Sequence, residues 1–171
     1  MKKILLALAL LIASANADAV GNVGIGYAVG DKSGKNVTAF GSFNVMAGAA
    51  LRFEYTKNIA EHAEFSKEDV SRYGLFATYE LFLLPGFSAT PKIGMVKTDG
   101  EFKFVNTLKK VTDSKTKFTY GLELDYYFGN QFSAFVGYTD YSGKLDVKNL
   151  AGESAKKLDQ ANYLLGFKFH L

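Results

Sequence analysis

Residues 161–171 read ANYLLGFKFHL. Tyr163, Leu165, Phe167, Phe169 and Leu171 fall on one parity, and Asn162, Gly166, Lys168 and His170 on the other. An alternation of this kind belongs to a β-strand whose two faces meet different surroundings. Whether the apolar face meets a protein core, a partner or lipid decides the fold.

The same period of two recurs along the chain, with no convincing helical repeat after the first twenty residues. Eight strands are expected. The first spans Val20 to Val29 and the second roughly Val37 to Met46; the third sets Leu51, Phe53 and Tyr55 against Arg52, Glu54 and Thr56. The fourth runs from Arg72 to about Leu83, the fifth from Ala89 to Lys97 and the sixth through FTYGLELDYYF, Phe118 to Phe128. The seventh begins at Phe132 and passes Tyr141, and the quoted segment is the eighth. Connections after the second, fourth and sixth strands are short. Those after the third (within Asn58 to Ser71), the fifth (including LKKVTDSKTK from Leu108) and the seventh (Asp146 to Gln160) are long and charged. In an up-and-down meander, alternate connections share an end. Tight turns at one end and extended polar loops at the other are the layout of a transmembrane barrel.

The opening MKKILLALALLIASANADA has the three parts of a secretory signal peptide. Lys2 and Lys3 precede an apolar stretch, Ile4 to Ile12, and Ala15-Asn16-Ala17 is a small-x-small cleavage signature. Cleavage after Ala17 is expected, dividing the chain into a signal peptide over 1–17 and a barrel domain over 18–171. Losing the two lysines reduces the formal charge of +3 to about +1. Nothing then argues for nucleic acid, since no basic run remains to track phosphates. Cysteine is absent, so an exported chain of this size needs another restraint, and a closed sheet is one.

The polar face of the strands carries Arg52, Glu54, Arg72, Glu80, Lys92, Glu123, Asp125 and Lys168, with glycine and threonine between them. In a soluble ligand-binding barrel that face would meet water; in a membrane barrel it fills the lumen and the apolar face meets lipid. Three features favour the second arrangement. Tyr27, Tyr55, Tyr73, Tyr126, Tyr138 and Tyr163 lie near strand ends, as an interfacial girdle requires. The charges are mixed in sign and can pair across a narrow interior. The glycines share their face, where an eight-stranded barrel has little room. In hydrocarbon an open sheet edge leaves backbone groups unpaired, so first and last strands must close. The expectation is an all-β, eight-stranded antiparallel up-and-down transmembrane barrel. Its interior is a packed polar core with ion pairs such as Arg52 with Glu123, rather than an open pore.

With its signal peptide, eight alternating segments, LRFEYTKN at 51–58 and YLLGFKFHL at 163–171, the chain resembles the small outer-membrane β-barrel proteins of Gram-negative bacteria. These are the OmpA transmembrane-domain, OmpX and opacity-type porin group. The resemblance implies residence in the outer membrane among lipid and lipopolysaccharide. It also implies that Tyr163, Leu165, Phe167, Phe169 and Leu171 form the assembly signal read by the barrel-insertion machinery, with leucine in place of the usual terminal phenylalanine.

Little points to chemistry. His62 sits in a charged loop with Glu61, Glu64, Ser66 and Asp69, without the spacing of a metal site, and His170 is expected to point into the lumen. No glycine-rich phosphate loop is present, so no cofactor, no metal and no enzymatic activity are expected. Lys109, Lys110, Lys115 and Lys117 form a cationic loop that would suit lipopolysaccharide phosphates or an anionic host surface, though a plainly solvated loop is the simpler reading. The function expected is non-enzymatic, in envelope structure or surface interaction through the loops. The alternatives are a narrow porin and a soluble periplasmic ligand-binding barrel.

Overall fold

The computed structural model describes residues 20–30, 34–59, 65–104, 110–141, 147–148, 154–155 and 161–171. Its strands are β1 (Gly21–Gly30), β2 (Gly34–Met46), β3 (Ala49–Asn58), β4 (Phe65–Tyr79), β5 (Leu81–Leu84), β6 (Phe87–Phe104), β7 (Lys110–Tyr127), β8 (Phe132–Asp140), β9 (Val147–Lys148), β10 (Ser154–Ala155) and β11 (Ala161–His170). Among the described residues, β9 and β10 pair with each other as a separate two-stranded sheet. The rest form one closed antiparallel barrel of eight staves, in which β5 continues β4 beyond a break at Glu80.

Closure joins the two ends of the meander. Ile25 of β1 faces Phe167 of β11, and the Leu171 N–H donates to the Gly21 carbonyl at 3.0 Å. Partner residues traced round the sheet from Tyr73 run through Tyr55, Ala39, Ile25, Phe167, Ala134 and Tyr126 to Phe87. Tyr73 itself, however, pairs with Lys97 of the same strand. The ten-residue offset between Phe87 and Lys97 is the barrel's shear, which tilts the strands by about 35–45° to its axis.

Short turns at Ala47–Gly48, Pro85–Gly86 and Phe128–Gln131 gather at one end. Gly48 and Gly86 have φ of 75° and 82°, which the tight hairpins demand and a side chain would resist. At the other end β4, β6 and β7 continue past their neighbours. This corrects three expectations. The charged connection within 58–71 already becomes strand at Phe65, the fifth strand extends to Phe104, and the lysine-rich stretch is strand from Lys110. Lys110, Lys115 and Lys117 are therefore strand residues rather than loop residues; Lys109 and His62 lie outside the described residues. The ladder continues there through pairs such as Asp69 with Glu101 and Gly100 with Asp113. A sheet beyond the apolar belt needs no apolar face, so the alternation fades while the backbone pairing persists.

The outer face is apolar. Ile25, Phe53, Leu75, Ile93, Leu122, Val136, Leu165 and Phe167 all project outward and are exposed. Charged outward residues begin only at Lys35, Lys57, Lys97, Asp99 and Asp140, towards the long-loop end.

Candidate functional site

Alternation sends every second side chain inward, and the interior is where the chain concentrates its polar chemistry. Arg52 and Glu54 come from β3, Lys92 from β6, Glu123 and Asp125 from β7, and Lys168 from β11; all are buried. Glu123, with no exposed surface, is the hub. Arg52 Nη1 lies 2.6 Å from its Oε1, Lys92 Nζ 3.3 Å from the same oxygen, and Lys168 Nζ 2.9 Å from Oε2. Lys92 also donates to Glu54 Oε2 at 2.8 Å, and Lys168 Nζ lies 2.6 Å from Asp125 Oδ1. The Tyr141 hydroxyl donates to Glu54, and Thr90 Oγ1 donates to Asp125 Oδ2 at 3.4 Å. Charges withdrawn from water need such partners, because each one left alone carries a large desolvation cost.

Two of the residues expected inside stand apart from this hub. Arg72 lies over the Tyr141 ring, 5.3 Å from its centroid. Glu80, at the short-turn rim, accepts from Ser88 Oγ at 2.7 Å and from the Tyr127 hydroxyl. His170 is half-buried at the same rim, with Nε2 2.9 Å from Ser133 Oγ.

The interior is not wholly polar, which the sequence reading did not anticipate. Ala28, Phe40, Phe135 and Leu164 form one buried cluster, and Phe76, Val96 and Tyr141 another. The cations rest on these rings. The Arg52 guanidinium stands 3.5 Å from the Phe40 centroid, Lys92 Nζ 4.9 Å from that of Phe76, and Lys168 Nζ 5.0 Å from that of Phe135. In a desolvated site the negative face of the ring attracts the cation above it.

Space for these groups comes from glycine. Phe40 faces Gly24 on the neighbouring strand, Phe76 faces Gly94, and Phe135 faces Gly166. The charged residues repeat the arrangement, with Glu54 opposite Gly74, Lys92 opposite Gly121 and Glu123 opposite Gly137. A Cβ at Gly24 would lie 2.2 Å from Phe40 Cζ, and one at Gly137 would lie 2.9 Å from Glu123 Cγ. The signal available in the sequence was glycine on the inward parity. Pairing each glycine with its bulky neighbour needs the register.

Towards the long loops the interior ends in a polar layer, in which Thr38 and Thr56 hydroxyls bond at 2.8 Å and Asn36 donates to Asn162 at 3.4 Å. Towards the short turns, a cavity of about 700 Å³ reaches up to Arg52 and Lys168. Beyond them lie the hub and the aromatic clusters. Among the described residues, no group of three or more His, Cys, Asp and Glu side chains is placed to hold a metal ion.

The sequence profile of the outer membrane protein beta-barrel domain matches residues 4–170. No curated protein sequence matches the chain. Among solved structures, the N-terminal β-barrel domain of Pseudomonas aeruginosa OprF superposes with a TM-score of 0.63 at 15% identity, over 90% of this chain and 100% of that one. Ail, the attachment invasion locus protein of Yersinia pestis, crystallised with the heparin analogue sucrose octasulfate, gives 0.60 at 15% identity over 91% and 100%. A de novo designed transmembrane β-barrel gives 0.58 at 10% identity over 91% and 98%. A designed chain fits nearly as well as natural ones, so these superpositions speak to the fold and not to a ligand or activity.

Proposed function

Because the chain belongs to the outer membrane protein β-barrel family, we propose that it is a non-enzymatic integral protein of a Gram-negative outer membrane. It contributes to envelope structure or to surface interaction through its long-loop end. The supporting observation is the inside-out distribution of chemistry: Glu123 and its three cations lie inside the barrel, while an uncharged apolar face surrounds it. Such a surface suits hydrocarbon, and such an interior leaves the long-loop end as the part of the molecule that meets other molecules.

Two further readings belong to this proposal. Residues 1–17 direct export and are removed after Ala17. The outward face of Tyr163, Leu165, Phe167 and Phe169, with Leu171, is read by the insertion machinery before it meets lipid. N-terminal sequencing of the membrane-extracted protein tests the first, with Asp18 as the expected first residue.

The function is tested by two measurements on the purified protein from the outer-membrane fraction. Electrophoresis with and without boiling should show a mobility shift, as a detergent-resistant barrel unfolds only on heating. In planar bilayers the protein should give no stable single-channel steps. Recovery from soluble periplasm without a shift would overturn the membrane assignment, and regular conductance would replace the surface role with the narrow porin.

A further inference from the structure

The two ends of the barrel differ in a way that the lipid belt alone does not require. At the long-loop end the outer face gives way to charged residues, Lys35, Lys57, Lys97, Asp99 and Asp140. At the short-turn end no charged side chain appears on the outer face or in the turns among the described residues. From Phe43 to Leu51 the sequence FNVMAGAAL has Asn44 as its one polar side chain, and LFLLPGF, Leu81 to Phe87, has none.

These two hairpin tips are also unusually bare. Met46 is 70% exposed, Phe82 71% and Leu84 67%. All four residues of β5 are exposed, Leu81 and Leu83 on the outward parity and Phe82 at the mouth of the interior cavity, which the 45–48 turn also borders. The third short turn is different, with Gly129, Asn130 and Gln131 at its tip. Exposed apolar surface of this kind is costly in water and marks a contact.

We propose that the Val45–Gly48 and Leu81–Phe87 tips are immersed in the phospholipid leaflet on the short-turn side, so that the barrel sits deeper along β2 to β6 than along β7 to β11. This rests on the membrane assignment above and adds where the molecule stops. Lipid is the occupant indicated by continuity: Phe43 lies on the same outward face as Leu51, its cross-strand partner, and Phe87 faces Tyr126, so the lipid-facing belt runs into both tips without a polar break. Backbone groups at the tips are suited to a water-poor setting. The Gly48 carbonyl accepts from Glu80 N–H at 2.7 Å and the Gly86 carbonyl from Tyr127 N–H at 2.8 Å. A protein partner would not need a surface merging so evenly with the belt.

The chain contains no tryptophan, so single substitutions report without background. Met46→Trp, Leu84→Trp, Leu122→Trp in mid-belt and Asn130→Trp in the polar turn would each be folded into phospholipid vesicles with and without brominated chains. A heat-dependent gel shift would select the folded protein. The proposal expects Met46→Trp and Leu84→Trp to emit at shorter wavelength than Asn130→Trp and to lose intensity in brominated lipid, as Leu122→Trp does. If Leu122→Trp is quenched while both tip variants behave like Asn130→Trp, the tips lie in water and this proposal fails alone. If Leu122→Trp is itself unquenched, the membrane assignment fails and takes the proposal with it.

Discussion

Arg52 Nη1 stands 2.6 Å from Glu123 Oε1, although β3 and β7 share no backbone hydrogen bonds. The pair crosses the interior and ties together staves that the sheet leaves apart. Its contribution is therefore to hold the lumen in one arrangement more than to strengthen any one ladder.

Replacing Glu123 with alanine leaves Arg52, Lys92 and Lys168 facing one another with Glu54 and Asp125 as the remaining neighbouring acids. Breaking a buried pair on one side costs about 3–5 kcal/mol. Urea titration of the folded barrel, followed by the heat-dependent gel shift, should show a clearly lower midpoint. The double variant Arg52→Met with Glu123→Leu should recover part of that loss, because it removes both charges and keeps volume.

The interior glycines make a sharper test of packing. Gly166→Ala would put a Cβ 2.2 Å from the Ile25 carbonyl oxygen, a backbone atom that cannot step aside. Gly24→Ala meets the Phe40 ring instead, so Phe40→Leu in the same chain should relieve it. Overpacking of this kind costs about 1–3 kcal/mol. Comparing unfolding midpoints should rank Gly166→Ala below Gly24→Ala, and only the latter should be rescued by the smaller partner.

A charge on the outer face reports depth. Leu122→Arg, in mid-belt, should lower stability by about 2–4 kcal/mol, whereas Thr116→Arg, at the long-loop boundary, should cost about 0–1 kcal/mol. Folding yield into vesicles, read against urea, separates the two. Equal costs would mean that the belt has been placed at the wrong height.

Asp99 lies beyond Lys97, outside the belt. Its carboxyl is held below the ordinary carboxylate range, first by the Ser114 hydroxyl, which donates at 2.7 Å, and then by Lys97 at 3.2 Å. A depressed folded-state value means that the stabilisation is complete above the unfolded-state value and disappears as pH falls through the folded one. Because the group is exposed, the effect on stability is small. Carboxyl titration by NMR should show Ser114→Ala moving the Asp99 midpoint upward.

Local alternation made much of this legible. It divided outward Phe118, Tyr120 and Leu122 from inward Glu123 and Asp125 without any knowledge of neighbours. It also placed the turns at Pro85–Gly86 and Gly129–Gln131. What it missed depended on long-range register. Phe40, Phe76 and Phe135 share a parity with polar residues, and nothing local explains them until Gly24, Gly94 and Gly166 are seen opposite. The reach of β4, β6 and β7 was hidden for another reason. Period-two patterning reports a difference between two faces, and beyond the belt that difference ends before the strands do.

The offset of ten at closure has a consequence for how such a chain can change length. Because the offset is even, a residue that begins inside remains inside after a full circuit. Adding one residue to the middle of a strand would turn every later position of that strand inside out, putting an arginine in the bilayer and a leucine in the lumen. Length can therefore vary by twos within the wall, by single residues where a bulge such as that near Val45 absorbs the extra one, and freely in the long loops. Insertions and deletions should sort between wall and loops by parity alone.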